Sequence, residues 1–88
     1  MLTLAIEGRI DTQTAPELEK VLDGTLDGIT ELVFDFTGVS YISSAGLRVL
    51  LKTQKQMNKQ GSMTVIHANE DIMEIFEVTG FTDILNIK

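Results

Sequence analysis

The 88-residue sequence has no cysteine and no tryptophan, one histidine and one proline. Without thiols there is neither a disulfide nor a thiolate-held metal. His67 alone cannot build a histidine metal cluster. Positive charge is also scarce. Seven Lys and Arg stand against 13 Asp and Glu, a formal net charge of −6. That balance argues against nucleic acid as a direct partner, because phosphate backbones demand a basic surface. No apolar run approaches the ~20 residues that span a bilayer, so no direct membrane insertion is expected. Met1–Ile10 has no basic region ahead of its apolar residues and is broken by Glu7 and Arg9, unlike a signal peptide. The expected address is cytoplasmic. Pro-rich or Ser-rich linkers, low-complexity tracts and internal repeats are all missing, so residues 1–88 read as a single domain.

Apolar residues make up 43% of the chain and charged residues 23%, the balance of an ordinary folded domain. A chain this short buries only about two-thirds of its unfolded surface and supports one core. Leu2, Leu4, Ile6 and Ile10 fall at even positions with Thr3, Glu7 and Arg9 between them, the period of a half-buried strand. Thr14 and Glu17 form a capping-box pattern, with Pro16 in the first turn of a helix. Leu18, Val21, Leu22 and Leu26 continue at helical spacing, and Gly24 and Gly28 suggest that this helix frays before its end. Leu32–Phe36 reads as a central strand and Thr37–Ser44 as a loop. A second helix is predicted from about Ala45 to Lys59, stopped by Gly61. Met63–Ile66 reads as a strand. Asn69 caps a third helix that turns Ile72, Ile75 and Phe76 inward and ends before Gly80, and Ile84–Ile87 reads as a last strand. The order β-α-β-α-β-α-β predicts an α/β fold with a small sheet of about four mainly parallel strands. Three helices are too few to cover both faces, so they are expected mainly on one, with the other partly open.

Sites in such sheets lie at the carboxyl ends of strands. The segment from Asp35 to Leu47 occupies that place, between a central strand and the second helix. A serine there can cap free helix N–H groups, or carry a phosphate, since a helix N-terminus favours an anion. The residues alone do not choose between these roles.

The segment Asp35-Phe36-Thr37-Gly38-Val39-Ser40-Tyr41-Ile42-Ser43-Ser44-Ala45-Gly46-Leu47 resembles the signature of the STAS family. There a strand ends in Asp/Asn-Leu-Ser and a loop leads to Asp-Ser-Ser/Thr-Gly-Leu. Gly8-Arg9-Ile10-Asp11 is similar to the family's Gly-x-Leu/Ile-Asp turn before the first helix. Phe76-Glu77-Val78-Thr79-Gly80-Phe81 is similar to its late Phe-x-x-x-Gly-Leu/Phe turn. The three matches are in order and span nearly the whole chain. The sequence departs from the pattern at Ser43, where the family usually has Asp, at Ala45, where it has Ser or Thr, and at Arg48, where Gly is common. The resemblance implies a STAS-type fold and an anti-sigma-factor antagonist that is not an enzyme and holds no cofactor. It implies binding to an anti-sigma-factor serine kinase, phosphorylation of Ser44 (with Ser43 as the other acceptor), and reversal by a metal-dependent phosphatase. ATP and metal would belong to those enzymes. It leaves open an unphosphorylated STAS subunit of a lipid-transport ATPase or larger signalling assembly.

Helical spacing adds a further candidate. Arg48, Lys52, Lys55 and Lys59 fall on one stripe of the second helix, either a solvated face or a contact strip for an acidic partner. Leu47 and Leu51 lie on its shoulder, where apolar residues can anchor a partner. The expected partner surface is thus Asp11, Thr12, Ser43, Ser44, Ala45, Leu47, Arg48, Leu51, Lys52 and Lys55. Asp11 and Asp35 sit at strand ends without a third ligand or a nucleophile, which favours turn roles, and His67 reads as structural. Gly8, Gly38 and Gly46 form no phosphate loop. A nucleotide-binding or hydrolytic protein would need a nucleophile–base constellation that the chain does not offer.

Overall fold

The computed structural model describes residues 1–88. Its elements are β1 (Leu2–Ile10), α1 (Ala15–Thr25), β2 (Glu31–Ile42), α2 (Ser44–Gln60), β3 (Ser62–Ile66), α3 (Glu70–Val78), a 3₁₀ turn (Phe81–Asp83) and β4 (Asn86–Ile87). The four strands form one sheet in the order β1-β2-β3-β4, and every neighbouring pair is parallel. The spatial order equals the chain order. Right-handed crossovers in a sheet that never reverses its order place every helix on the same face.

The burial pattern follows from that. In β2, Leu32, Phe34 and Phe36 are buried while Val33 and Asp35 between them are only half-buried. In β3, Met63 and Val65 are buried and Thr64 and Ile66 are not. Strands covered on both faces would bury both sets. The buried face packs against Leu22 of α1, Leu50 and Met57 of α2, and Ile72 and Phe76 of α3. The rings of Phe34, Phe36 and Phe76 stand 6.3 Å apart in sequence, tilted rather than stacked, the geometry that aromatic quadrupoles prefer.

Several boundaries differ from those read off the sequence. The segment Thr37–Ile42 is not a loop. It continues β2 past the end of β3 and pairs with β1 alone, Glu7 opposite Gly38 and Ile10 opposite Ile42. Two register shifts, between Ala5 and Glu7 and between Gly8 and Arg9, accommodate it. Gly8 supplies the positive φ of +82° that such a bulge requires. Gly8–Ile10 is therefore the end of a strand and not a turn. The Thr14–Glu17 capping box does not form, since Thr14 makes no side-chain cap bond. Its Oγ1 instead donates to the Arg9 carbonyl at 2.7 Å and accepts from the Asp11 N–H at 2.8 Å. α1 runs through Gly24 to Thr25. The last strand is only Asn86–Ile87, because the N–H groups of Ile84 and Leu85 turn back to the Phe81 carbonyl, at 3.0 and 2.8 Å, instead of pairing in the sheet.

α2 begins one residue earlier than its periodicity suggests. Ser43 is the N-cap, with extended backbone and a side-chain oxygen that accepts from the Gly46 N–H at 3.4 Å, while Ser44 is the first helical residue. This first turn lies directly on the strand ends. The Ser43 N–H donates to the Ile10 carbonyl at 2.8 Å. A β-carbon at Gly46 would stand 2.7 Å from Ile10 Cγ2, 2.8 Å from Ile42 Cγ1 and 3.1 Å from the Ile10 carbonyl oxygen. Only glycine permits that approach. Gly46→Ala gains helix propensity of up to about 1 kcal/mol but overpacks the junction, a cost of about 1–3 kcal/mol. The variant is expected to unfold at lower urea concentration than wild type; an unchanged midpoint would show that the junction yields freely.

Candidate functional site

The sheet edge where β1 and β2 outrun β3 carries the candidate site. Ile10 and Ile42 end the two strands, and from them the chain enters α1 through Asp11–Thr14 and α2 through Ser43. The Asp11 carboxylate holds the first of these turns. Its Oδ1 accepts from the N–H of Gln13 at 2.9 Å and of Thr14 at 3.1 Å, and the Arg9 guanidinium lies 3.6 Å from Oδ2. The backbone hydrogen bonds, from Thr14 above all and then Gln13, pull the Asp11 carboxyl below its usual range. This is the turn role expected for the residue. Arg9 also lies over the Tyr41 ring, 4.7 Å from its centroid, which ties the ends of β1 and β2 together.

The β3–α3 loop braces β2 from the other side. Asn69 caps α3 by accepting from the Ile72 N–H at 2.9 Å, and its amide donates to the Val39 carbonyl at 3.1 Å. His67, at a left-handed φ of 61°, places Nδ1 3.2 Å from Asp35 Oδ1 and 3.0 Å from Thr37 Oγ1. Thr37 donates to the same carboxylate oxygen from its hydroxyl at 2.6 Å and its N–H at 3.0 Å. These bonds, with Thr37's leading, lower the Asp35 pKa. Asp11 thus holds a turn as expected, whereas Asp35 lies within β2, where it bonds Thr37 of the same strand and His67, and the two carboxylates do not form an acid–base pair. Nothing in the sequence signals the Asn69–Val39 bridge.

Ser44 is exposed at the start of α2 and takes part in no side-chain hydrogen bond, because the cap belongs to Ser43. Thr12, Ala45, Arg48 and Lys52 of the expected surface share one groove of about 320 Å³ between the first turns of α1 and α2. Ala15, Pro16, Glu19 and Val49 complete it; α1's contribution was missed, since only the packing of the two helices reveals it. Leu47 does not belong to the surface. It is 7% exposed and part of the core, drawn inward by the close seating of Gly46. Leu51 is half-buried, so the proposed apolar shoulder reduces to this residue. The basic stripe is exposed along its length, but its members differ. Lys52 Nζ lies 2.8 Å from Glu19 Oε1 and 3.7 Å from Asp23 Oδ1, and the hydrogen bond to Glu19 raises its pKa. Arg48, Lys55 and Lys59 form no ion pair. No group of three or more His, Cys, Asp or Glu side chains is placed to hold a metal, and no helix is long and apolar enough to cross a membrane.

This geometry coincides with known proteins. The STAS domain family model matches residues 1–88, and the chain belongs to that family. Within it, the chain resembles the anti-sigma-factor antagonists. It is 34% identical over 90 residues to the anti-sigma-B factor antagonist of Listeria monocytogenes, covering 99% of this chain and 78% of that one. An anti-sigma factor antagonist from Mycobacterium paratuberculosis superposes with a TM-score of 0.88 at 25% identity, covering 98% of this chain and 75% of that one. The unphosphorylated form of the anti-sigma factor antagonist SpoIIAA has the same fold, with a TM-score of 0.83 at 12% identity over 98% of this chain and 77% of that one. Its phosphorylated form superposes with a TM-score of 0.74 over 98% of this chain and 80% of that one.

The depressed carboxyl of Asp11 has a pH signature. A group whose folded pKa lies below its unfolded value stabilises the fold above the unfolded pKa, and that stabilisation is lost as pH falls through the folded value. Unfolding measured against pH should therefore show stability declining as pH falls below about 3.8, the ordinary value of this carboxyl. Asp11→Asn should flatten that acid limb; an identical acid limb would deny the carboxylate its turn-holding role.

Proposed function

We propose that this chain is an anti-sigma-factor antagonist that binds an anti-sigma-factor serine kinase, is switched off by phosphorylation of Ser44, and is restored by a metal-dependent phosphatase. The observation that carries this reading is the state of Ser44. It is exposed, unbonded and fixed at the first turn of α2, beside a groove between two helices and at the head of a basic face on an acidic protein. A kinase reaches such a hydroxyl without unfolding anything. The neighbouring Ser43 hydroxyl is occupied by its cap, which favours Ser44 as the acceptor.

The partner's contact surface comprises the groove walls Thr12, Ala45 and Arg48, the turn at Asp11, and Leu51 and Lys55 on the outer side of α2. Lys52 contributes less, since Glu19 and Asp23 already engage it. A phosphate brings a charge of about −1.5 to −2 at neutral pH into the middle of this surface and repels an acidic partner. The chain itself acts as a binding module of the cytoplasm and not as an enzyme.

Incubation with the cognate kinase and ATP, followed by mapping of the modified residue, should place phosphate on Ser44; phosphate on Ser43 or elsewhere with Ser44 clean sinks the assignment. Ser44→Asp should fold normally, since a negative charge in the first turn of a helix is favourable by roughly 0.3–1 kcal/mol, and should bind the kinase poorly. The outer face has its own test. Arg48→Glu with Lys55→Glu should lower the association rate, and added salt should shrink the difference from wild type, because exposed charges are screened beyond ~8 Å at physiological ionic strength. Unchanged binding would leave the stripe a solvated face.

A further inference from the structure

The three helices treat their first turns differently. α1 carries Glu17 there and α3 carries Glu70 and Asp71, whereas α2 carries no acidic residue. None of its 17 residues is acidic. One turn in from its start stands Arg48, where the STAS pattern commonly has glycine. The positive end of the macrodipole lies at this end of the helix, so Arg48 gains nothing from it in the unmodified protein. Arg48 is exposed and forms no ion pair, while the neighbouring Lys52 is held by Glu19 and Asp23. Residues four apart on a helix are neighbours, with β-carbons about 5–6 Å apart. The residue four before Arg48 is Ser44.

We propose that Arg48 is the intramolecular clamp for the phosphate of phosphorylated Ser44, a role that rests on the modification of Ser44 proposed above. The guanidinium fork suits a phosphate, giving two charge-assisted hydrogen bonds in one plane. An acidic group N-terminal to a basic one at this spacing is the favourable orientation. The clamp gives the switch a second action. Beyond introducing negative charge, phosphorylation withdraws Arg48 from the groove it lines with Thr12, Ala45 and Val49, so that the partner loses a cation as well as meeting an anion. Ser43, whose hydroxyl is turned back onto the Gly46 N–H outside the helix proper, does not present a phosphate to Arg48 in this way.

The test is a ³¹P NMR titration of the full chain with phosphoserine installed site-specifically at position 44, in wild type, Arg48→Gln and Arg48→Lys backgrounds. The second ionisation of phosphoserine lies near about pH 6. It should fall lower in wild type than in Arg48→Gln by roughly 0.15–0.4 unit at low salt. Arg48→Lys should retain part of the shift, and salt should shrink it. Phosphoserine installed at position 43 should titrate alike with and without Arg48. Far-UV circular dichroism of all variants should match, since Arg48 is exposed and forms no ion pair; Arg48→Lys preserves the comparison if Gln disturbs the helix. Equal titration at position 44 in wild type and Arg48→Gln overturns the clamp even if the kinase labels Ser44. A kinase that leaves Ser44 clean overturns the switch that the clamp would serve, whatever the titration of the installed phosphate shows.

Discussion

The closest approach in the site region is between the first turn of α2 and the ends of β1 and β2. It is set by one hydrogen bond, Ser43 N–H to the Ile10 carbonyl, and one missing side chain, at Gly46. Everything functional hangs on that seating. Because Gly46 lies flat on Ile10 and Ile42, Leu47 is driven into the core and Ser44 emerges on the outside. Because β1 also leads into α1 at Asp11, the same strand ends bring the first turns of both helices side by side and create the groove between them. A ligand crevice in a doubly wound sheet arises where the strand order reverses. This sheet never reverses, so it offers a shallow surface at a helix end in place of a deep cleft.

The electrostatic plan follows the same layout. α1 and α2 are locked together where Lys52 meets Glu19 and Asp23, an exposed arrangement that contributes little to stability but neutralises the middle of the basic stripe. What remains is a set of free cations, Arg48 at the top and Lys55 and Lys59 below, on the one helix with no acidic residue. α2 thus carries positive charge alone and α3, with four acidic residues, has no basic one, while α1 carries both signs. A net charge of −6 hides a local positive face.

The elements with a clear period were legible from the residues. The even-numbered apolar positions of β1, the Asn69 cap of α3 and the stop at Gly61 all stand in the structure. The extension of β2 was not, because Thr37, Gly38 and Ser40 read as loop residues and are held extended by pairing with β1 and by the Asn69 bridge to Val39. The sequence left open whether a serine before the second helix caps it or stands free to carry a phosphate, and the backbone geometry gives the cap to Ser43. Leu47 looked like a shoulder because angular position on a helical wheel ignores distance, and the tight seating at Gly46 brings even an off-axis side chain inside. Ion pairs between α1 and α2 lie 29 and 33 residues apart in the chain, beyond any local pattern.

These constraints explain how a modification could act on so small a domain without reshaping it. α2 is rigidly seated, so a phosphate on its first residue has no loop to reorder and no strand to displace. Its effect must be electrostatic and steric at the surface itself. Three unpaired cations on the outer face carry a charge of about +3; a phosphate of about −1.5 to −2 placed at one end reduces the local sum to about +1 to +1.5. Association steered by such a face depends on that sum over a Debye length of about 8 Å, roughly one and a half turns of helix at 5.4 Å per turn. A phosphate on Ser44 would therefore act most strongly on Arg48 and progressively less on Lys55 and Lys59. A partner anchored near the groove would feel the modification in full, whereas one bound only along the lower half of α2 would barely register it. The position of Ser44 at the head of the helix, and not merely its chemistry, makes the groove end of α2 the part of the surface that the proposed phosphorylation would control.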